Sequence, residues 1–176
     1  VSAHPCAGNR TDALHCDDDS TCYVGCGTTT TCRGMFVTTD GGATWSSVTS
    51  TPAGFFDSGR VNDIWRSPDN DLLYVSGEFN AGFRVVSLDR AGTVGEVFKK
   101  GNTVDFSFTA GNYRRNAEGR QIAESLTGVG IVYKEMDGGD PQESWETGYG
   151  FWQDQYPNGV QILDMDVHDG KFYAAG

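Results

Sequence analysis

Thr38-Thr39-Asp40-Gly41-Gly42-Ala43-Thr44-Trp45 is a compact turn between two short apolar runs, and it recurs. A weaker copy, Ser87-Leu88-Asp89-Arg90-Ala91-Gly92-Thr93-Val94, places its aspartate 49 residues on; Asp137-Gly138-Gly139, with Ser144-Trp145 after a short insertion, follows 48 residues later. A second anchor precedes each turn: Cys22-Tyr23-Val24, Leu73-Tyr74-Val75, Gln121-Ile122-Ala123 and Phe172-Tyr173-Ala174. The central residues of these anchors, Tyr23, Tyr74, Ile122 and Tyr173, lie 51, 48 and 51 apart. Two independent anchors therefore share one period. A repeat of that length with no helical pattern points to a propeller or solenoid, because one small sheet cannot bury its apolar face alone.

Within a repeat the pattern reads as four short strands. The second repeat is the clearest, with strands expected at 61–66, 72–77, 83–88 and 93–98, separated by segments rich in turn formers such as Ser67-Pro68-Asp69-Asn70-Asp71. The third repeat reads as strands at 104–108, 120–126, 130–134 and 144–147, with 109–119 as a long first connection. The expected fold is all-β: a β-propeller segment of about three and a half four-stranded blades. Residues 1–11 form an N-terminal extension, and 12–176 the partial propeller, with blades near 12–50, 61–98 and 104–147 and an incomplete one at 161–176. Half a blade leaves an unpaired sheet edge and an unclosed ring. The expectation is that the ring is completed by a missing C-terminal part or by a second chain, the favoured form being a second polypeptide cut from a common precursor after Gly176.

The stretch from Thr38 to Trp45 resembles the Ser/Thr-x-Asp-x-Gly-x-Thr-Trp pattern of the Asp-box, or bacterial neuraminidase repeat, β-propellers, a group that includes sialidases and sortilin-like receptors. The resemblance implies a scaffold role for Asp40, Gly42, Thr44 and Trp45, remote from any active site. Asp89, Asp137 and Trp145 take the same role in the other copies. Elementary chemistry agrees: the Asp40 carboxylate can accept backbone N–H bonds, glycine admits positive φ, and Trp45 packs beneath.

Composition bounds the function. A net charge of -11 on 176 residues, with scattered basic side chains, excludes nucleic acid and anionic membrane surfaces as expected partners. No apolar run is long enough to span a bilayer. The chain opens Val1-Ser2-Ala3-His4, which fits a removed signal peptide, and its five cysteines fit a secreted, periplasmic or cell-surface protein. Cys16-x5-Cys22 and Cys26-x5-Cys32 repeat one spacing compatible with two hairpin disulfides. Cys6 is then left to pair with a cysteine of the completing polypeptide. A metal cluster of His4, Cys6, His15 and Cys16 lacks the C-x2-C spacing of structural zinc, so no metal site is expected there. Asp17-Asp18-Asp19 reads as a solvated turn. The segment Asp164-x-Asp166-x-His168-Asp169-Gly170 is compatible with a single structural calcium but lacks the downstream acid of an EF-hand. No other cofactor is expected.

A propeller presents its ligand from the loops of one face, here 49–60, 99–103 and 148–159 together with 27–31 and 77–82. The richest is 148–159. Its Tyr149, Phe151, Trp152 and Tyr156 offer faces that stack on sugar C–H groups, while Gln153 and Asp154 suit hydroxyls; Arg60 borders the same depression. The same aromatics equally suit packing against the completing half. Hydrolysis of a glycosidic bond needs paired carboxyls, for which Asp57, Glu78 and Asp154 are the candidates. The Phe/Tyr-Arg-Ile-Pro motif that the sialidase resemblance would call for is absent, and Tyr113-Arg114-Arg115-Asn116 falls in the connection 109–119. The sequence thus reads as a binding or scaffold propeller with a glycan ligand, and alternatively as a hydrolase whose site is shared with the completing half.

Overall fold

The computed structural model describes residues 5–6, 11–29, 32–79, 82–99, 110–119, 121–125, 130–134, 146–147 and 164–175. Three sheets of four strands and one of two make up this part of the chain, and all pairings are antiparallel. The first sheet holds β1 (Thr11–Cys16), β2 (Cys22–Thr29), β3 (Cys32–Thr38) and β4 (Ser46–Ser47). The second holds β5 (Arg60–Arg66), β6 (Leu73–Phe79), β7 (Gly82–Leu88) and β8 (Val94–Lys99). The third holds β9 (Ala110–Arg115), β10 (Gln121–Ser125), β11 (Gly130–Lys134) and β12 (Glu146–Thr147). β13 (Asp164–His168) and β14 (Lys171–Ala175) form the fourth.

Each sheet is a meander in chain order, and the first strands β1, β5, β9 and β13 pack against one another in sequence. This is how a propeller sets its blades around an axis. β6 shows the consequence for composition. Leu73, Tyr74, Val75, Ser76 and Gly77 are all buried, because neighbouring sheets cover both faces of the strand. β13 instead alternates exposed Asp164 and Asp166 with buried Met165, the pattern of a strand with one wet face.

The main core lies between the first two sheets. It joins Ala13, Met35 and Val48 of the first to Val61, Ile64, Leu73, Val75, Val86 and Leu88 of the second, with Phe56 from the connection between them. Each such aliphatic contributes about 2 kcal/mol of transfer free energy. Close approach here depends on two glycines of β2. A Cβ on Gly25 would come within 2.5 Å of Val61 Cβ, and one on Gly27 within 2.8 Å of Arg60 Cα. The outer edges are tied as well: Thr51 donates its N–H to Gly92 O at 2.7 Å and accepts from Val94 N at 3.0 Å. Gly92 has φ +85°, and a Cβ there would meet Thr49 O at 2.8 Å, so this crossing requires glycine.

The third sheet departs from the expected strand positions. Its first strand is Ala110–Arg115, inside the segment read as a connection, and 104–108 lies outside the described residues. The alternating Val104-Asp105-Phe106-Ser107-Phe108 carries the stronger strand propensity. Tertiary contacts make a strand of 110–115: Tyr113 packs against Tyr74, at 4.9 Å between ring centroids, and Asn116 to Gly119 closes a tight turn with Gly119 N donating to Asn116 O at 3.0 Å.

Candidate functional site

Two of the three turn aspartates, Asp40 and Asp89, lie among the described residues. Asp40 Oδ1 accepts from Thr38 Oγ1 and Thr44 N, both at 2.8 Å, and Oδ2 from Thr44 Oγ1 at 2.6 Å. Thr38 Oγ1 in turn accepts Gly42 N at 2.9 Å. The Thr44 hydroxyl and N–H, then Thr38, hold the Asp40 carboxyl down to about 2. Asp89 repeats the arrangement with Thr93 N at 2.7 Å and Ala91 N at 2.9 Å, and the Thr93 N–H lowers its carboxyl too. Asp137 and Trp145 lie outside the described residues.

Among the described residues, a dense polar cluster sits where the first two sheets meet at their turns. Asp17, directly after β1, accepts Arg66 Nε at 2.5 Å and His15 Nε2 at 3.1 Å through Oδ1, and Arg90 Nη1 at 2.7 Å through Oδ2. Arg90 also forks onto Asp71, with Nε at 2.9 Å and Nη2 at 2.7 Å, the bidentate geometry that suits a guanidinium. Arg66 reaches Asp71 O at 2.8 Å and Tyr23 Oη at 3.3 Å, and lies over the Tyr23 ring. Asp17 is only 7% exposed and Arg66 10%, against 55% for Arg90. Burial works to raise the Asp17 carboxyl; the hydrogen bonds and charges of Arg66 and Arg90 outweigh it and leave it below its ordinary value. Burial lowers His15 despite the Asp17 bond. The reading of Asp17 as part of a solvated turn is therefore corrected: Asp18 and Asp19 face solvent, whereas Asp17 joins two blades.

A second junction ties the second and third sheets. Asp63 Oδ2 accepts Tyr113 N at 3.1 Å and pairs with Arg114 Nη1 at 2.5 Å. Arg114 covers the Trp65 ring at 5.4 Å, Trp65 stacks on Tyr74 at 5.9 Å, and Tyr113 Oη donates to Gln121 Oε1 at 2.7 Å. Tyr113-Arg114 thus builds a blade interface.

The disulfides join Cys16 to Cys22 and Cys6 to Cys26. The first closes the β1–β2 hairpin between directly opposed residues. The second corrects two expectations: Cys26 does not pair with Cys32, and Cys6 is not held for another chain. Cys6 lies against β2, where Cys6, Cys26 and Val24 form a small buried cluster with Phe36 and Trp45 packed on it. Cys6 lies 5.8 Å from Cys26 between Cα atoms, inside the bridging range. With Cys6 and Cys16 both oxidised, their thiolates are not ligands for the His4, Cys6, His15, Cys16 set. Among the described residues no three His, Cys, Asp or Glu side chains gather as a metal site.

Of the ligand and catalytic candidates, Tyr149, Phe151, Trp152, Gln153, Asp154 and Tyr156 lie outside the described residues. Arg60, three residues after exposed Asp57, and Glu78 are brought together as cross-strand partners of β5 and β6. Glu78 is exposed and Arg60 half-buried. Phe56, which borders the same loop in sequence, points instead into the core with its ring edge-on to Phe55.

No protein-family model matches this chain, and no curated protein matches it. Among solved structures, one described as "YCF48 bound to D1 peptide" is similar over 100% of this chain and 50% of that one, with a TM-score of 0.52 and 14% identity. The chain spans about half the length of that structure. At this identity the likeness concerns the fold alone, and together with the meander sheets it supports a β-propeller. The likeness to Asp-box propellers rests on Thr38 to Trp45 and its copies, without a family match. Two disulfides fit an oxidising compartment, and no helix among the described residues is long and apolar enough to cross a membrane.

Proposed function

We propose that the chain is a binding or scaffold segment of a larger β-propeller, secreted or held at a cell surface or in a periplasm, and completed by a second polypeptide. The observation that carries this reading is the whole-length likeness to half of another propeller chain. The fourth sheet supports it. Tyr173 of β14 is 53% exposed, whereas Tyr74, at the same place in its repeat, is 5% exposed with its ring against Tyr113 of the next sheet. A further sheet packed on the fourth would cover Tyr173 in the same way. Because Cys6 is bonded within the chain, the completing polypeptide is held without a disulfide to Cys6. Intact mass under native and denaturing conditions tests this: a second polypeptide released by denaturant alone is expected, and a lone 19.0 kDa species under both conditions overturns it.

The ligand surface in this reading is the loop 148–159, whose aromatics and amides suit a glycan. Glycan-array binding by the parent and by Trp152→Ala, with circular dichroism to verify folding, is the test. A saturable glycan signal lost in Trp152→Ala is expected; a parent that binds no glycan overturns the ligand class. A peptide ligand is the second reading, favoured by the description of the similar structure, which is of a peptide complex.

A further inference from the structure

The two disulfides differ in exposure and in the length of loop they close. Cys6 and Cys26 are 1% and 0% exposed and enclosed by Val24, Phe36 and Trp45, so an external thiolate has no path to either sulfur. Cys16 is exposed and Cys22 half-exposed, at the open end of the β1–β2 hairpin. The bond also closes a short loop, with a sequence separation of 6 against 20 for the other. Strand pairing already holds that loop together, so cleavage removes little global constraint.

What the bond does hold is Asp17. That residue follows Cys16 directly and anchors Arg66 of β5 and Arg90 of the β7–β8 turn, while Ser20 O of the same hairpin accepts Gly41 N at 2.9 Å. One hairpin tip thereby braces its own blade and the next. We propose that Cys16–Cys22 is a redox-labile bond that sets how firmly the first two blades are locked, acting through the Asp17 junction, while Cys6–Cys26 remains a permanent staple.

The co-reactant is a dithiol reductant. Its thiolate attacks the more exposed Cys16 Sγ, forming a mixed disulfide and releasing Cys22 as thiolate. Its second thiol, once deprotonated, attacks the mixed bond and releases Cys16. The reductant leaves as a disulfide, two electrons having passed to the cysteine pair, and the two cysteine thiolates take up the two protons its thiols gave up. Reduction removes the covalent tie beside Asp17 and leaves the hairpin tip to its strand pairing and to Asp17 N donating to Thr21 O at 2.9 Å, so the Asp17 junction loosens while the hairpin persists.

The oxidised native protein is titrated with dithiothreitol, quenched with iodoacetamide and mapped by peptide mass spectrometry, with hydrogen exchange followed in parallel. Cys16 and Cys22 are expected to alkylate at a dithiol concentration about tenfold below that needed for Cys6 and Cys26. Faster exchange is expected at 66–71 and 89–93 while that at 73–77 is unchanged. Asp17→Asn in the oxidised protein is expected to reproduce the exchange pattern. Alkylation of all four cysteines together, or hairpin reduction that leaves 66–71 and 89–93 unchanged, overturns the proposal.

Discussion

Asp40 and Asp17 reach low carboxyl pKa values by different routes, exposed hydroxyl and amide donors for one and buried arginines for the other. Both are easier to protonate in the unfolded chain, where the ordinary value is about 4. Their stabilisation is therefore complete above that pH and lost as acid titrates the folded forms, toward about 2 for Asp40. His15 has the matching sign for a base. Its folded value lies below 6.5, so its contribution is present above that pH and begins to fall as the pH drops through it. Thermal melts are expected to lose a little midpoint below pH 6.5 and most between pH 4 and 2, with Asp17→Asn flattening the acid limb. A melting temperature independent of pH across that window would contradict the assigned geometry. Gly27 makes a separate prediction at this scale. Gly27→Ala drives a Cβ into the Arg60 backbone and is expected to cost about 1–3 kcal/mol by urea denaturation.

Among the elements, β9 is the most instructive. Its sequence, Ala-Gly-Asn-Tyr-Arg-Arg, has little strand character, and the strand exists because Tyr113 and Arg114 have partners across the blade interface. Tyr113→Phe leaves the Gln121 amide oxygen short of a buried donor and is expected to cost about 1–2 kcal/mol in urea. Arg114 is 8% exposed, so Asp63→Ala leaves a buried guanidinium without its nearer carboxylate, keeping the exposed Asp164 Oδ1 at 3.6 Å. An expected loss of about 3 kcal/mol follows, in the range for breaking one partner of a buried pair, and equilibrium unfolding measures it. The second repeat needed no such support: Leu73-Tyr74-Val75 and Phe83 to Leu88 carry β-branched and aromatic residues at strand spacing, and the expected and observed strands there agree to within two residues.

For the molecule as a whole, the contacts that join the blades among the described residues include the apolar core between the first two sheets, the Thr51 crossing at Gly92, the arginine–aspartate junctions and the Tyr74–Tyr113 ring contact. The Cys6–Cys26 bond adds the N-terminal segment to this assembly. Cys6→Ala is expected to cost about 3 kcal/mol, the loop-closure value for its separation, and to leave secondary structure by circular dichroism unchanged. A loss well under 1 kcal/mol would mean that the N-terminal segment contributes nothing to the fold.

The period of the turns and tyrosines was legible in the chain because both depend on local chemistry: glycine at positive φ, aspartate on its own turn amides, and alternating apolar residues. From these alone follow the four-stranded units, their order and the turn role of Asp40. Tertiary structure alone decided the rest. Asp17 meets Arg66 and Arg90 across 49 and 73 residues, and Cys6 meets Cys26 across 20. No local pattern encodes such pairings, because which charges and which sulfurs become neighbours is set by how the sheets pack.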